Sequence, residues 1–280
     1  MEKSIAILIT VHNRKEKTLS CLERIKHQQL STDVNVVVFL TDDGSTDGTK
    51  EEVRRFYPGV NIIKGDGTLF WNRGMRLAWE SASKVNPDFY LWLNDDTELM
   101  DNAFQRLLDC SEKFEDKSII VGSTYVSPEI KCLSYGGRLK KHNNPFITPD
   151  ETQCLPCDTF NGNIVLIPRK VFEIVGYNDI YYRHSFGDFD YGIVAGLKGV
   201  SSYVAPGYYG YCGRNNPIPL FRRKCYPIFK RYKLLYSPLG YNPIEDFHLN
   251  WKYQPLFLCV WYFIKLHINV LFAVDHTKYQ

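Results

Sequence analysis

Residues 89–97 read Phe89-Tyr90-Leu91-Trp92-Leu93-Asn94-Asp95-Asp96-Thr97, and their reading decides the fold. The first five side chains form an unbroken apolar and aromatic run, the composition of a strand covered on both faces of a sheet. Burial stops at Asn94. Adjacent carboxylates at the end of a core strand, Asp95 and Asp96, repel each other unless water or a cation neutralises them. In an open α/β sheet, ligands bind in the crevice beyond the carboxyl ends of the strands, so a hard, oxygen-ligated cation such as Mg2+ or Mn2+ is a natural guest. A solvated turn leading to a helix capped by Asp101 accounts for the same residues. The stretches upstream weigh between the two.

Short apolar runs alternate there with amphipathic segments, the pattern of strand and helix units in a mostly parallel sheet. Ile5–Ile9 is a buried run ending in Thr10-Val11-His12-Asn13-Arg14, and a helix over 17–30 follows with Leu19, Leu22, Ile25 and Gln29 at helical spacing. A second strand, 34–40, ends in Thr41-Asp42-Asp43-Gly44-Ser45-Thr46-Asp47-Gly48-Thr49, where the glycines allow a tight turn and Asp47 or Thr49 caps the next helix. Strand 60–64 leads to Gly65-Asp66-Gly67, which lacks the third glycine of a dinucleotide fingerprint, and no Gly-Lys-Ser/Thr phosphate loop exists. Phe70-Trp71-Asn72-Arg73, ahead of a helix over 75–83, reads either as a substrate-facing loop with an aromatic wall or as a Trp packed over the sheet. Three strands thus deliver polar residues from their carboxyl ends. If they are parallel neighbours, those ends share one edge of the sheet.

Downstream, a helix over 102–114 and a strand over 119–124 precede an extended segment over 133–139 and a polar loop over 142–152. Residues 158–167 read as one strand whose Asn161-Gly162-Asn163 interrupts the apolar pattern, a sign of backbone close to a ligand. Pro168 suits the start of a helix closed by Gly176. Gly187-Asp188-Phe189-Asp190-Tyr191 then opens a helix whose dipole favours ionised carboxylates in its first turn. Capping explains one Asp there better than two.

Thr10-x-x-Asn13-Arg14 after the first strand, Asp42-Asp43-Gly44-Ser45-Thr46-Asp47-Gly48-Thr49 after the second, Leu93-Asn94-Asp95-Asp96-Thr97, and Gly187-Asp188-x-Asp190-Tyr191 opening a later helix together resemble the family 2 glycosyltransferases. Leu69-Phe70-Trp71 with Gly74-Met75 is similar to their bacterial rhamnosyltransferase-like members, which build surface polysaccharides. The resemblance covers residues 5–215. It implies a GT-A (Rossmann-like) α/β fold, a nucleotide-sugar donor of the dTDP or UDP type, a divalent cation, inversion at the anomeric carbon, and a glycan or lipid-linked acceptor. Carried across, Thr10, His12 and Arg14 lie along the nucleoside, and Asp42 bonds the base with Asp43 nearby. Trp71, Asn72, Asn94 and Asp95 complete the donor site, Asp96 holds the metal, and Asp188 is the catalytic base with Asp190 supporting it. Three departures stand out. The segment Ala205–Cys212 lacks the His that many members carry near the metal, position 12 is His where an aromatic residue is common, and Gly187 replaces the usual acid before the base.

With 280 residues, of which 44% are hydrophobic, the chain can bury a full core, and a net charge of +3 gives no argument for nucleic acid. Met1-Glu2-Lys3 runs straight into a strand, so the eight Cys are expected to be reduced in the cytoplasm; Cys154-x-x-Cys157 alone is poor support for zinc or a disulfide. A transferase domain over 1–215 is expected, followed by a basic, aromatic extension over 216–280. In that extension 256–274 is apolar apart from Lys265, His267 and Asn269. A spanning helix would bury Lys265 at about 2.5–3.5 kcal/mol. An amphipathic or core-packed helix is favoured instead, resting on the inner face of an anionic membrane, on the catalytic domain or on a second copy. Besides an inverting transferase, two other functions fit less well. A sugar nucleotidyltransferase needs a Gly-rich loop after the first strand, which 10–14 lacks; a non-catalytic sugar-binding protein on a degenerate GT-A fold has no use for Asp188 as well as Asp96.

Overall fold

Phe89–Leu93 forms a strand in which all five side chains are buried. The reason lies in its neighbours. A computed structural model describes residues 3–140, 144–214 and 218–274. The first half runs β1 (Lys3–Val11), α1 (Lys15–Lys26), β2 (Val34–Asp42), α2 (Thr49–Phe56), β3 (Asn61–Lys64), α3 (Phe70–Ala82), β4 (Phe89–Leu93), β5 (Glu98–Leu99), α4 (Ala103–Glu112) and β6 (Ile119–Tyr125). Then come β7 (Leu133–Tyr135), β8 (Gly137–Arg138), β9 (Leu155–Cys157), β10 (Thr159–Phe160), β11 (Ile164–Pro168), α5 (Arg169–Val175), α6 (Gly187–Leu197) and β12 (Ser202–Tyr211). Three helices close the described chain: α7 (Ile228–Leu235), α8 (Pro243–Trp251) and α9 (Leu256–Leu271).

The main sheet has the order β3-β2-β1-β4-β11-β6-β12-β5. Its first four strands are parallel, with Ile5 opposite both Val36 and Phe89. β11 runs antiparallel to β4 and β6, so the parallel arrangement expected from the sequence holds for the first four strands and turns mixed beyond β4. Strand alternation divides the core in two. Ile5, Ile7, Phe89, Leu91 and Leu93 meet Leu22 of α1 and Phe104 and Leu107 of α4 on one face. Ala6, Leu8, Tyr90 and Trp92 meet Met75 and Trp79 of α3 and Tyr191 of α6 on the other. Trp79 touches Tyr90, Trp92, Phe172 and Tyr191 at 5.2–5.5 Å between ring centroids. Each such pair adds about 0.5–1.5 kcal/mol beyond its buried area.

Several boundaries differ from the sequence expectation, each through a distant partner. Helix α1 stops at Lys26 rather than near residue 30, because Gln28 is held by the Met100 carbonyl and the Phe104 N–H, and Gln29 N–H donates to Asp101 O. Helix α3 starts at Phe70 rather than Met75, since Asp43 accepts from the N–H groups of Gly67 and Phe70 at 2.8 Å and fixes the approach. The single strand expected over 158–167 is two, β10 and β11, with Asn161-Gly162-Asn163 between them. Cys154 and Cys157 are free thiols. Among the described residues no helix is long and apolar enough to cross a membrane. The expected boundary at 215/216 and His142 of the polar loop lie outside the described residues.

Candidate active site

The carboxyl ends of β1 and β4 are neighbours in register, and both open into a cavity of about 710 Å3. β1 contributes Thr10, whose buried hydroxyl has no hydrogen-bond partner among the described residues, and the turn beyond it contributes Arg14. β4 contributes Asn94, Asp95 and Asp96. The β10–β11 connection brings Asn161–Asn163, the start of α6 brings Asp188, and the segment after β12 brings Cys212 and Arg214. Tyr241, from the connection between α7 and α8, and Leu249 of α8 also line the cavity.

The two carboxylates after β4 have different surroundings. Asp95 is buried, accepts from Thr18 Oγ1 at 3.2 Å and pairs with Arg14 Nη1 at 3.0 Å; burial outweighs the arginine and pushes its carboxyl up to about 6. Asp96 is half-buried, pairs with Arg14 Nη2 at 2.6 Å and has Cys212 Sγ 3.7 Å from its Oδ1. One guanidinium therefore bridges two adjacent acids, which offsets the repulsion that their order in the sequence creates. Burial, followed by the nearby Asp96, pushes the Cys212 thiol up to about 12, so it stays protonated and is a poor ligand for a hard cation.

Asp188 is arranged otherwise. Its Oδ2 accepts from Gly162 N–H and its Oδ1 from Phe189 N–H, both at 2.9 Å, and no side chain is ion-paired with it among the described residues. Burial raises its pKa above the ordinary carboxylate value, and the two backbone donors pull the other way. Each oxygen keeps a lone pair for a further proton. His184, also in the wall, is pushed down by burial and by the Arg14 charge, so it is neutral at pH 7.

Other expected residues sit behind this wall. Asp42 accepts from Ser45 N–H at 2.9 Å, Asp43 is bound to Gly67 and Phe70, and His12 Nδ1 lies 2.6 Å from Asp43 O. These groups lock the loops after β1 and β2 together and do not line the cavity. Trp71 does line it: Nε1 donates to Asn94 Oδ1 at 2.7 Å while the ring stands edge-on to Trp92, so the wall and packing readings both apply. Phe70–Arg73 is the first turn of a helix, not a loop. Asn72, expected along the donor, also sits behind the wall. It is fully buried, donates to the carbonyls of Asp179 and Tyr182 at 2.8 Å, accepts from Asn178, and has no face on the cavity. A Cβ at Gly187 would run into the Asn72 side chain, which explains why this chain has no acid before Asp188. Asp190 is likewise outside the cavity: it accepts from Tyr182 Oη at 3.1 Å, Lys252 Nζ at 2.8 Å and Tyr253 Oη at 2.5 Å, anchoring α6 to the end of α8. Sequence reasoning assigned no role to Cys212, Arg214 or Tyr241. The strand-end rule applied to β12 would have found the first two, since Cys212-Gly213-Arg214 follows it as Asn94–Asp96 follow β4.

A sequence model described as "Glycosyl transferase family 2" matches residues 6–174. The chain belongs to glycosyl transferase family 2. The matched span runs from β1 to α5, so it includes the Arg14–Asp95–Asp96 cluster and ends before Asp188. Two proteins of Mycobacterium tuberculosis named N-acetylglucosaminyl-diphospho-decaprenol L-rhamnosyltransferase, from strains CDC 1551 / Oshkosh and ATCC 25618 / H37Rv, are each 26% identical over 203 residues. The match takes in 63% of this chain and 66% of theirs, so the chain spans just under two thirds of these relatives. Among solved structures, S. aureus TarS 1-349 in complex with UDP superposes with a TM-score of 0.53 at 13% identity, covering 75% of this chain and 60% of that one. Full TarS gives 0.53 at 12% identity over 99% of this chain and 44% of its own. These structures share the fold, a mixed sheet flanked by helices in the GT-A manner.

Whether the family 2 site suits a divalent cation depends on its donors. Among the described residues no three His, Cys, Asp or Glu side chains form a ready-made cage. Mg2+ commonly takes one or two carboxylates and completes its shell with water and substrate phosphates. The half-buried Asp96, backed by Asp95, fits that role, and a protonated Cys212 adds nothing to it.

Proposed function

We propose that the protein is an inverting glycosyltransferase, moving a sugar from a dTDP- or UDP-type donor to a hydroxyl of a glycan or lipid-linked saccharide in surface-polysaccharide synthesis, on the inner face of the cell membrane. One observation carries the reading: Asp188, some ninety residues beyond Asp96 in the chain, lines the same cavity as the Arg14–Asp95–Asp96 cluster. The relatives' names make an L-rhamnosyl donor and a diphospho-polyprenol saccharide the first pair to try.

The chain's own groups divide the work. The acceptor oxygen attacks the anomeric carbon, the bond from that carbon to the diphosphate breaks, and the acceptor proton passes to Asp188. Its raised pKa makes it a better base than an exposed carboxylate, and the Gly162 and Phe189 N–H groups hold it in place. Arg14, with Lys17 and Arg214 in the same wall, offers positive charge to the departing diphosphate. When bound, a divalent cation held by Asp96 would supply Lewis-acid stabilisation to that leaving group. Attack opposite the leaving group inverts the anomeric centre.

The test is a panel of nucleoside diphosphate sugars, screened for thermal stabilisation with and without Mg2+ or Mn2+ and then for transfer to a lipid-linked saccharide. Stabilisation by at least one donor and formation of a glycoside of opposite anomeric configuration are expected. A panel without any stabilising nucleotide sugar, in either metal condition, overturns the reading.

A further inference from the structure

The strongest feature outside the cavity is the bare side of the C-terminal helices. Phe221, Leu235 and Val270 form a small core where α7 packs on α9, tightened by Arg231 Nη1 donating to Val270 O at 2.7 Å. Helix α8 covers a further side of α9, with Phe247 against Phe263 at 6.3 Å between ring centroids and Cys259 buried, and the remaining side of α9 is uncovered among the described residues. On α9 the exposed residues Phe257, Trp261, Ile264, Ile268 and Leu271 recur at steps of three or four, so they form one stripe. Phe257 is 69% exposed and Trp261 53%; on α7, Phe229 is 75% exposed. Soluble monomers rarely leave a contiguous apolar stripe of this kind in water.

Charge selects the occupant. The described segment 218–274 contains two acids, Glu245 and Asp246, and both are buried, Glu245 against Arg183 at 2.7 Å. Lys224, Lys230, Lys233 and Lys265 are exposed. Among the described residues of 218–274, the exposed charges are thus all positive and sit beside exposed hydrocarbon and tryptophan. A symmetric interface between two copies would set these cations against themselves, whereas anionic lipid complements both components. At 16 residues, α9 is roughly 24 Å long. That is short of the roughly 30 Å hydrocarbon layer, so the helix lies along a bilayer rather than across it.

We propose that the exposed face of α7 and α9 seats the protein on an anionic lipid bilayer. The adjoining stripe of α9, Tyr262, Lys265 and Asn269, lines a second cavity of about 520 Å3, and this cavity shares Asn144, Phe189, Tyr241 and Leu249 with the catalytic one. Given the transferase reading, docking on this face brings that path to the surface where a lipid-linked acceptor is presented.

The experiment is flotation of the full chain with vesicles of phosphatidylcholine alone or with phosphatidylglycerol, without nucleotide sugar. Binding to the anionic vesicles, weakened by salt, is expected. Phe257→Ser combined with Trp261→Ser should reduce it at least roughly tenfold, from the apolar area withdrawn from the bilayer. Lys230→Gln with Lys233→Gln should reduce it at low salt and abolish the salt dependence in part. Circular dichroism and thermal melting of both variants should match the parent, since all four side chains are exposed. Binding that is absent, or equal on both vesicle types and unmoved by the substitutions, overturns the proposal. So does a dimer in sedimentation that Phe257→Ser with Trp261→Ser converts to monomer. Neither result touches the donor screen, so this inference and the transferase reading fail separately.

Discussion

The acids at the end of β4 and the acid at the start of α6 line one cavity, yet they are held by opposite means. Asp95 and Asp96 share a guanidinium, while Asp188 is held by two backbone N–H groups and has no cationic side chain bound to it among the described residues. A carboxylate beside Arg14 belongs to a charge cluster that a diphosphate and its cation can enter by exchanging partners. Burial lifts the proton affinity of both Asp95 and Asp188, but Asp188 is met by backbone N–H groups where Asp95 meets the Arg14 charge. The proposed division, with leaving-group work on one side and base work on the other, rests on this difference in partners more than on the number of acids.

The sharpest way to break this contrast is Asp188→Asn. Turnover should fall about 10²–10⁴-fold with donor affinity unchanged, as single-turnover kinetics and donor titration would report. Near-normal turnover would remove Asp188 from the base role. Asp96→Asn should do the reverse first, lowering Mg2+- or Mn2+-dependent donor affinity at least roughly tenfold. Calorimetric titration with and without metal reads this directly, and equal affinities would place the cation elsewhere. A smaller effect tests how α6 is seated: Gly187→Ala should cost about 1–3 kcal/mol by overpacking against Asn72. Urea denaturation of this variant, and of its combination with Asn72→Ala, should show a total below the sum of the two. Least in size is the pH effect. A base must be ionised, so kcat falls as pH drops through its pKa; since burial raises that of Asp188, the acid limb should lie above the ordinary 3.8. A limb at or below that value would mean that burial does not govern this group.

The buried run Phe89–Leu93 and its polar end were legible because both properties are local: five apolar residues cannot be solvated, and three polar ones cannot be buried without partners. Asp188 was legible for a similar reason, two acids in one helical turn. What the sequence hid were pairings across long separations. Asn72 resembled a donor-site residue until its carbonyl partners, 107 and 110 positions away, closed around it. The early start of α3 depends on Asp43, and the different environments of Asp95 and Asp96 depend on which of them Thr18 reaches. Composition foretold a basic, aromatic tail, but not that its acids turn inward.

Asp190 gives that tail a second importance. Its oxygen is where Lys252 and Tyr253, at the end of α8, take hold of the helix that begins at Asp188. Cutting the chain ahead of Lys252 would strand a carboxylate in the interior with its counter-charge gone, a loss of the kind that costs about 3–5 kcal/mol when a buried pair is broken. A shortened protein ending near residue 214 would therefore lose the anchor of the helix that carries Asp188, along with the pairs Arg183–Glu245 and Asp179–Lys252 that tie the approach to that helix to α8.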